Sequence, residues 1–412
     1  MGRSDIIAGL DMGSSRVTCI IAGPDEETRN VRVLSAASLP CPGLKGGVVV
    51  NIAETARAVT QVIEETEARA KQTVSGVYLG VRGAHLQSFN NRGAYNIART
   101  DKEITAEDVS SVIENAKAIP ISNDREILHV IPQGFSLDRQ RGVPNPVGME
   151  GSLLEVEVHI VTASSSHLNN LIKAVNQAGF EVLEPVYSLL AVGEMVVTPE
   201  EKELGCLLID LGGQTVSAGI YFEGSLRFSK EIPLGSDFIT RDLAYGLRTS
   251  LITAQNIKEK HGIALTSLLN GEEDVTFLGM DGRTPRKVKA KTLVEIIQPR
   301  VEEIFSAVRE EVQNSTYADL PGGAVLTGGG VCMKGMAEAG EQILEMQVRT
   351  GLPRKDLVLC EEEALTPSLA TALGLVSYPS LKTWMQVDLM PSGGAKKSSI
   401  RRKVSGWFEN LF

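Results

Sequence analysis

Residues 6–23 read IIAGLDMGSSRVTCIIAG, an acid and a Gly-Ser-Ser turn set between two apolar runs. The alternation and β-branched content of residues 6–10 and 17–21 predict the arms of a hairpin, with residues 11–16 as its tip. A tip carrying Gly13 and the hydroxyls of Ser14 and Ser15 exposes backbone N–H groups, and such groups bind anions, phosphate above all. Taken alone, the stretch serves equally well as an ordinary surface hairpin.

The same grammar returns at residues 206–222, CLLIDLGGQTVSAGIYF: an apolar strand, Asp210, the pair Gly212 and Gly213, then hydroxyls at Thr215 and Ser217 in a second strand. Setting Asp11 on Asp210 puts Gly13 on Gly212, Val17 on Val216, Thr18 on Ser217 and Ile21 on Ile220. Chance seldom repeats an acid, a glycine and two strand patterns in register. Two related halves facing each other would bring two phosphate-cradling hairpins together, with Asp11 and Asp210 placed to hold a hydrated Mg²⁺. A third segment, residues 322–336 (GGAVLTGGGVCMKGM), runs a short apolar strand into Gly328, Gly329 and Gly330 and then a helical pattern. Glycines at such a junction let a flat ring or a phosphate approach the backbone. Together the three segments resemble the nucleotide clamp of the actin-like ATPases.

Bulk properties fit a soluble globular chain: 412 residues, 42% hydrophobic, enough for one or two large cores. No apolar run reaches the length of a membrane span, and Asp5 and Asp11 interrupt the N-terminal stretch, so neither a spanning helix nor a signal peptide is expected and the body should be cytosolic. The cysteines, Cys19, Cys41, Cys206, Cys332 and Cys360, are scattered and mostly in apolar surroundings, which predicts reduced core residues rather than disulfides or metal ligands. Histidines 85, 129, 159, 167 and 261 show no ligand spacing. A net charge of −10 argues against nucleic acid as a main partner. That charge is uneven: the last residues carry Lys396, Lys397, Arg401, Arg402 and Lys403 against Glu409 alone. An acidic body with a basic tip implies a separate partner for the tip.

Along the chain, the first hairpin is followed by a strand at 31–37, an amphipathic helix at 52–71 and a strand at 77–82. A compact strand-helix-strand-strand insert is predicted next: strands around 86–97, a helix at 106–118 opened by a capping box from Thr105 to Asp108, and strands at 127–137 and 153–162. A helix at 167–179 and an element at 184–196 lead into the second half, which restarts at Leu207. Its own insertion begins near Ser236, with helices at 237–247 and 251–261, strand material at 275–278 and a long helix at 293–314. A helix at 368–375 closes the globular part, and the Pro, Ser and Gly content beyond Tyr378 marks a tether.

At about 100° per residue, Ile400, Val404, Trp407, Phe408, Leu411 and Phe412 fall on one helical face and Arg401, Arg402 and Lys403 on the rest. That is the composition of a helix lying in the plane of an anionic bilayer. Partial burial of its apolar side chains at roughly 1 kcal/mol each, helped by up to about 1 kcal/mol per base, is offset by the ordering of the segment, so attachment is reversible. Linking copies into a filament would raise residence by effective concentration.

These features resemble the FtsA family of bacterial cell division proteins, actin-like membrane anchors of the FtsZ ring. The resemblance rests on GLDMGSSRVT (residues 9–18), HVIPQGFSLDRQRGVPNPVGMEG (129–151), LEVEVHIVTA (154–163), EPVYSLLAVGE (184–194), LLIDLGGQTVSAGI (207–220), TGGG (327–330) and the amphipathic terminus. It implies an α/β, actin-like fold of ribonuclease H-like duplicated halves. Subdomain 1A would comprise 1–84, 165–201 and 366–384, with a 1C insert at 85–164. Subdomain 2A would comprise 202–235 and 318–365, and 2B residues 236–317. A flexible linker at 385–398 and a C-terminal amphipathic helix at 399–412 complete the scheme.

It further implies ATP between the halves, with Asp11, Gly13, Ser14, Ser15 and Arg16 on one side of the phosphates and Gly212, Gly213, Gln214 and Thr215 on the other. Asp11 and Asp210 would hold Mg²⁺ through water, and Gly328, Gly329 and Gly330 would flank the adenosine. Lys258 stands where the family has an adenosine-contacting lysine; its usual acidic neighbour is Gln255 here, which can hydrogen-bond ribose. The acidic FtsZ tail would meet Arg286, Lys287, Lys291 and Arg300, which also serve as ordinary solvated bases. Glu184 falls where actin-like ATPases position the attacking water, and it equally suits a helix-start acid, so turnover is at most weak. The expected partners are FtsZ, anionic lipids, further copies of the chain and other divisome membrane proteins, at the cytoplasmic face of the division site. A pilus-assembly relative or a small-molecule kinase of the same superfold is the alternative, though neither has a use for a membrane tail.

Overall fold

The computed structural model describes residues 6–25, 30–269, 271, 273–317 and 319–388. The amphipathic helix expected over 399–412, and all but the first residues of the linker before it, lie outside the described residues.

The chain opens with β1 (Ile7–Met12) and β2 (Arg16–Pro24) as an antiparallel hairpin, continued by β3 (Val31–Pro40). Its tip is tighter than expected: Asp11 pairs with Thr18 inside the ladder, leaving Gly13, Ser14 and Ser15 as the turn. A small ribbon of β4 (Leu44–Lys45) and β5 (Val48–Val49) precedes α1 (Ile52–Ala70). The Asn51 side chain caps α1 by accepting from the Glu54 N–H, and the helix buries Val59, Val62 and Ile63. Strand β6 (Gly76–Val81) then lies parallel to β1.

The predicted insert follows as β7 (Gln87–Asn96), α2 (Ala106–Lys117), β8 (Arg125–Leu137), β9 (Gln140–Val143) and β10 (Leu153–Ser164). These strands form one sheet in the order β7-β10-β8-β9. The Thr105/Asp108 capping box is present. Strand β9, short and mostly exposed, has no apolar alternation to announce it. Next come α3 (Ser165–Gln177), β11 (Glu181–Tyr187), α4 (Ser188–Val196) and α5 (Pro199–Leu204). Glu184 therefore sits within a strand, opposite Tyr78 of β6, and α4 begins beyond Tyr187.

The second half is built from β12 (Cys206–Leu211), β13 (Val216–Phe222) and β14 (Ser225–Ile232), then α6 (Ser236–Leu247) and α7 (Leu251–His261). A ribbon of β15 (Asp274–Leu278) and β16 (Pro285–Lys289) leads into α8 (Ala290–Asn314), which contains Pro299. Strand β16 reads PRKVK and is exposed along nearly its whole length, so hydropathy gives no sign of it. The chain closes with β17 (Ala324–Thr327), α9 (Met336–Leu344), β18 (Val348–Thr350), β19 (Val358–Leu359) and α10 (Ala370–Asp388). Helix α10 runs past Tyr378, with Pro379 inside it, and covers the first residues of the expected linker. A proline removes one helical N–H; the helix is already anchored before it by buried Ala372, Leu373, Leu375 and Val376.

Two sheets carry the architecture. One has the order β11-β6-β1-β2-β3-β19, the other β14-β13-β12-β17-β18. Apart from β19, which adds to the edge of the first, they share one five-strand plan: an antiparallel trio, β3-β2-β1 or β14-β13-β12, joined by two parallel strands, β6 and β11 or β17 and β18. Even the register repeats, with Asp11 opposite Thr18 and Asp210 opposite Ser217. One apolar cluster fills the first half and extends to Leu208, Tyr221 and Val325 of the second, another fills the remainder of the second half, and the insert has its own.

Helices α4 and α10 cross tightly. A methyl group added at Gly374 would stand 2.1 Å from the Ala191 carbonyl oxygen. Gly374→Ala is therefore expected to lower stability by about 1–3 kcal/mol through overpacking, measured by denaturant unfolding. A variant as stable as the native chain would show that this crossing yields easily.

Candidate functional site

The two hairpin tips point at each other. Ser15 of the first half donates from Oγ to Asp237 Oδ2 at 2.9 Å, and a methyl on Gly213 of the second half would stand 1.9 Å from that same Oγ. Gln214 spans the gap by donating to Asp237 (3.3 Å) and accepting from the Gly46 N–H (3.0 Å), while Ser14 Oγ accepts from the Gly47 N–H at 3.1 Å. Both turns are built alike. A methyl at Gly13 would lie 2.6 Å from the Arg16 carbonyl, and one at Gly212 2.9 Å from that of Thr215.

Between the tips runs a cleft. One wall is Asp11, Gly13, Ser14, Ser15 and Arg16; the other is Asp210, Gly212, Gly213 and Thr215; Gly328 and Gly329 close one end. Gly328 has φ of +93°, and a methyl there would reach within 2.3 Å of Asp210 Oδ1, so this position demands glycine. Arg16 stands at the rim, its guanidinium donating to Ser38 Oγ and the Ser38 carbonyl. The start of α10 also faces the cleft, through Thr371 and the preceding Pro367 to Leu369. Backbone turns, hydroxyls and a helix start suit a polyphosphate.

Five of the expected site residues do not line this cleft. Gln214 bridges the tips as described. Gly330 packs behind the wall against Leu211. Lys258 donates to the Ser236 carbonyl at 2.9 Å, and burial lowers its pKa against the attraction of Asp237 and Glu259. Gln255 is held between Thr240 and Glu259. Glu184 stays in β11. Of the bases expected to meet a partner, Arg286 and Lys287 lie exposed on β16, and Lys291, also exposed, faces Glu295. Arg300 is clamped by Asp242 and Glu303.

The floor holds a residue that sequence reasoning passed over. Arg82 follows the apolar strand β6 and is buried between the two aspartates, with Nη2 3.1 Å from Asp11 Oδ1 and Nη1 3.2 Å from Asp210 Oδ2. Thr371 completes the bridge, accepting from Arg82 Nη2 at 3.1 Å and donating to Asp210 Oδ2 at 3.2 Å. Burial raises the Asp11 pKa, Arg82 opposes that rise, and Asp210 adds to it. Burial alone would lower the Arg82 pKa; Asp11, Asp210 and Glu231 hold it above the ordinary arginine range. The one available signal was a lone arginine ending a strand of apolar residues. The position between Asp11 and Asp210 expected for a hydrated Mg²⁺ is thus taken by a guanidinium. Among the described residues no group of three or more His, Cys, Asp or Glu side chains is arranged to hold a metal ion. A divalent cation between the two aspartates would have to displace this resident guanidinium.

Beside Arg82, the Gly83 N–H donates to Glu231 Oε2 at 3.0 Å. Burial pushes the Glu231 carboxyl up to about 7, against stabilisation of its charge by Ser217, the Gly83 N–H, Arg82 and Tyr187. A carboxyl raised above its ordinary 4.5 favours folding in its protonated form. Its contribution, about 3 kcal/mol, is complete below pH 4.5 and is lost as pH rises through about 7. Glu231→Gln keeps an oxygen for Gly83 and removes the titration, so the fall in Tm between about pH 5 and 8 should flatten; an unchanged pH profile would count against the assignment.

Residues 83–162 match the family described as "SHS2 domain inserted in FTSA", and residues 207–374 match "Cell division protein FtsA". The chain is 34% identical to the cell division protein FtsA of Pseudomonas aeruginosa over 413 residues, 99% of this chain and 98% of that one. It is 35% identical to the protein of that name in Borreliella burgdorferi, covering 98% of each chain. Among solved structures it is similar to the PilM-PilN type IV pilus biogenesis complex, with a TM-score of 0.66 at 18% identity over 95% of this chain and 100% of the other. It is also similar to MreB5 of Spiroplasma citri bound to ADP, with a TM-score of 0.55 at 11% identity over 94% and 99% of the two chains. The fold is actin-like, an α/β architecture of two related halves, and the chain belongs to the FtsA family of cell division proteins.

Proposed function

We propose that this chain binds ATP between its halves, polymerises, and tethers the FtsZ ring to the cytoplasmic face of the membrane at the division site through a C-terminal amphipathic helix. The observation that carries the nucleotide reading is the meeting of two equivalent hairpin tips over one cleft. In that arrangement the turns at residues 13–15 and 213–215 would meet the phosphates, Arg16 supplies a cation at the rim, and the Gly328–Gly329 turn takes the adenosine side. Gly330, Gln214, Gln255 and Lys258 support these walls from behind. ATP brings the phosphate charge and the energy of its hydrolysis; the residues here bind and orient it. The Mg²⁺ expected between Asp11 and Asp210 is not part of this proposal, because Arg82 stands there.

No catalytic step is assigned to Glu184, which pairs in β11 away from the cleft lining. The nucleotide then acts chiefly as a clamp that closes the two halves and favours a polymerising shape. Filament formation is in keeping with the structural likeness to MamK, solved as a double helical filament, with a TM-score of 0.52 at 12% identity over 91% of this chain and 98% of that one. For an acidic FtsZ tail, Arg286, Lys287 and Lys291 offer the exposed bases, while Arg300 braces α8 against Asp242. Membrane attachment rests on the composition of residues 399–412. No helix among the described residues is long and apolar enough to cross a membrane.

ATP at about 100 times its Kd should raise stability by about 2.7 kcal/mol, read as a higher Tm. Gly328→Ala, whose methyl meets Asp210, should lose most of that gain. A native chain whose Tm ignores ATP would sink the nucleotide reading. For the membrane, the intact chain should sediment with anionic vesicles while a chain ending at Asp388 stays in the supernatant; equal pelleting of the two removes the anchor.

A further inference from the structure

We propose that Arg82 is the built-in cation of this cleft, taking the place between Asp11 and Asp210 that a divalent ion would need, so that a bound nucleotide is held without Mg²⁺. The inference rests on the nucleotide reading above, and it adds to it which charge the phosphates meet.

Arginine stays protonated at any physiological pH, so the cation is permanent. It is also placed by the fold. Strand β6 delivers Arg82 to the cleft floor, the next residue is tied across to the second half through Glu231, and Thr371 at the start of α10 receives one of the guanidinium N–H groups. With Oδ1 of Asp11 and Oδ2 of Asp210 already turned to the guanidinium, a magnesium ion with the water shell it retains would have to compete with Arg82 for both carboxylates. It would also enter beside a fixed positive charge.

The guanidinium keeps capacity for a phosphate. Of its five N–H donors, those to Asp11, Thr371 and Asp210 are engaged, while the buried Nε has no hydrogen-bond partner among the described residues. On the hairpin side, Nη1 lies 3.6 Å from where a methyl on Gly212 would be, which places it against the tip that lines the cleft through Gly212, Gly213 and Thr215. A planar fork beside backbone N–H groups matches phosphate oxygens. Because each aspartate belongs to a different half, the same residue also holds the halves together, and phosphate binding and closure become one event.

Two measurements test this on the full-length chain. Binding of a fluorescent ATP analogue should differ by less than about threefold between Mg²⁺ and EDTA for the native chain, whereas Arg82→Gln should weaken roughly tenfold or more in EDTA and recover with Mg²⁺. Arg82→Lys, which retains the charge, should remain insensitive to EDTA. A native chain that loses tenfold or more in EDTA overturns the proposal, whether or not either variant folds. The second measurement uses Mn²⁺ alone, followed by electron paramagnetic resonance with no nucleotide present. Arg82→Gln should bind the ion and the native chain should not; any other pattern overturns the proposal. If no form binds the ATP analogue in either condition, the nucleotide reading fails by itself and the Mn²⁺ comparison still decides the role of Arg82.

Discussion

Asp11 and Asp210 are equivalent residues of two equivalent strands, and Arg82 is buried between them. Two carboxylates shielded from water at such a distance repel each other unless a positive charge stands between them. Removing one member of a buried ionic group typically destabilises by about 3–5 kcal/mol, since the remaining charge is left without compensation. The rest of the molecule is arranged around this constraint. The two sheets must present their hairpin tips face to face, the crossing helices must hold them there, and the start of α10 must bring Thr371 into the bridge.

The insert shares in that task. It grows from the first half directly after Arg82 and Gly83, yet its sheet leans on β14 of the second half. Ser88 donates to the Ser229 carbonyl (2.7 Å), Asn90 to that of Arg227 (3.0 Å) and Gln133 to that of Leu226 (3.0 Å). His159, whose pKa burial lowers to about 4, joins as a neutral ring between Asn90 and Ser229. A buried polar seam with its partners in place fixes orientation more than it adds stability. The insert thereby braces the cleft from outside while Arg82 bridges it from within.

Much of this was legible in residue order. The duplicated hairpin could be read because strand alternation and turn glycines are local properties, and the repeat of Asp11 and Gly13 at Asp210 and Gly212 needs no knowledge of packing. The capping box at Thr105 was readable for the same reason. Strand β16 was not, since PRKVK sits in an exposed ribbon and lacks the apolar alternation that burial imposes. Nor was the continuation of α10 through Pro379, where composition points to a tether and earlier anchoring in the core carries the helix on. The proposed adenosine contacts at Gln255 and Lys258 came from resemblance, and the neighbours that occupy their polar ends, Thr240, Glu259 and Ser236, are set by how α6 packs on α7.

The sequence by itself determined that there are two halves and that each carries an acid beside a glycine turn, because each of these is written in a window of about 20 residues. Tertiary structure alone decided what lies between the two acids. Arg82 is 71 residues from Asp11, which the pairing of β6 with β1 brings beside it, and well over 100 from Asp210, whose charge comes within reach only when one half closes on the other. Electrostatic pairing depends on distance in space, and distance along the chain carries no information about it.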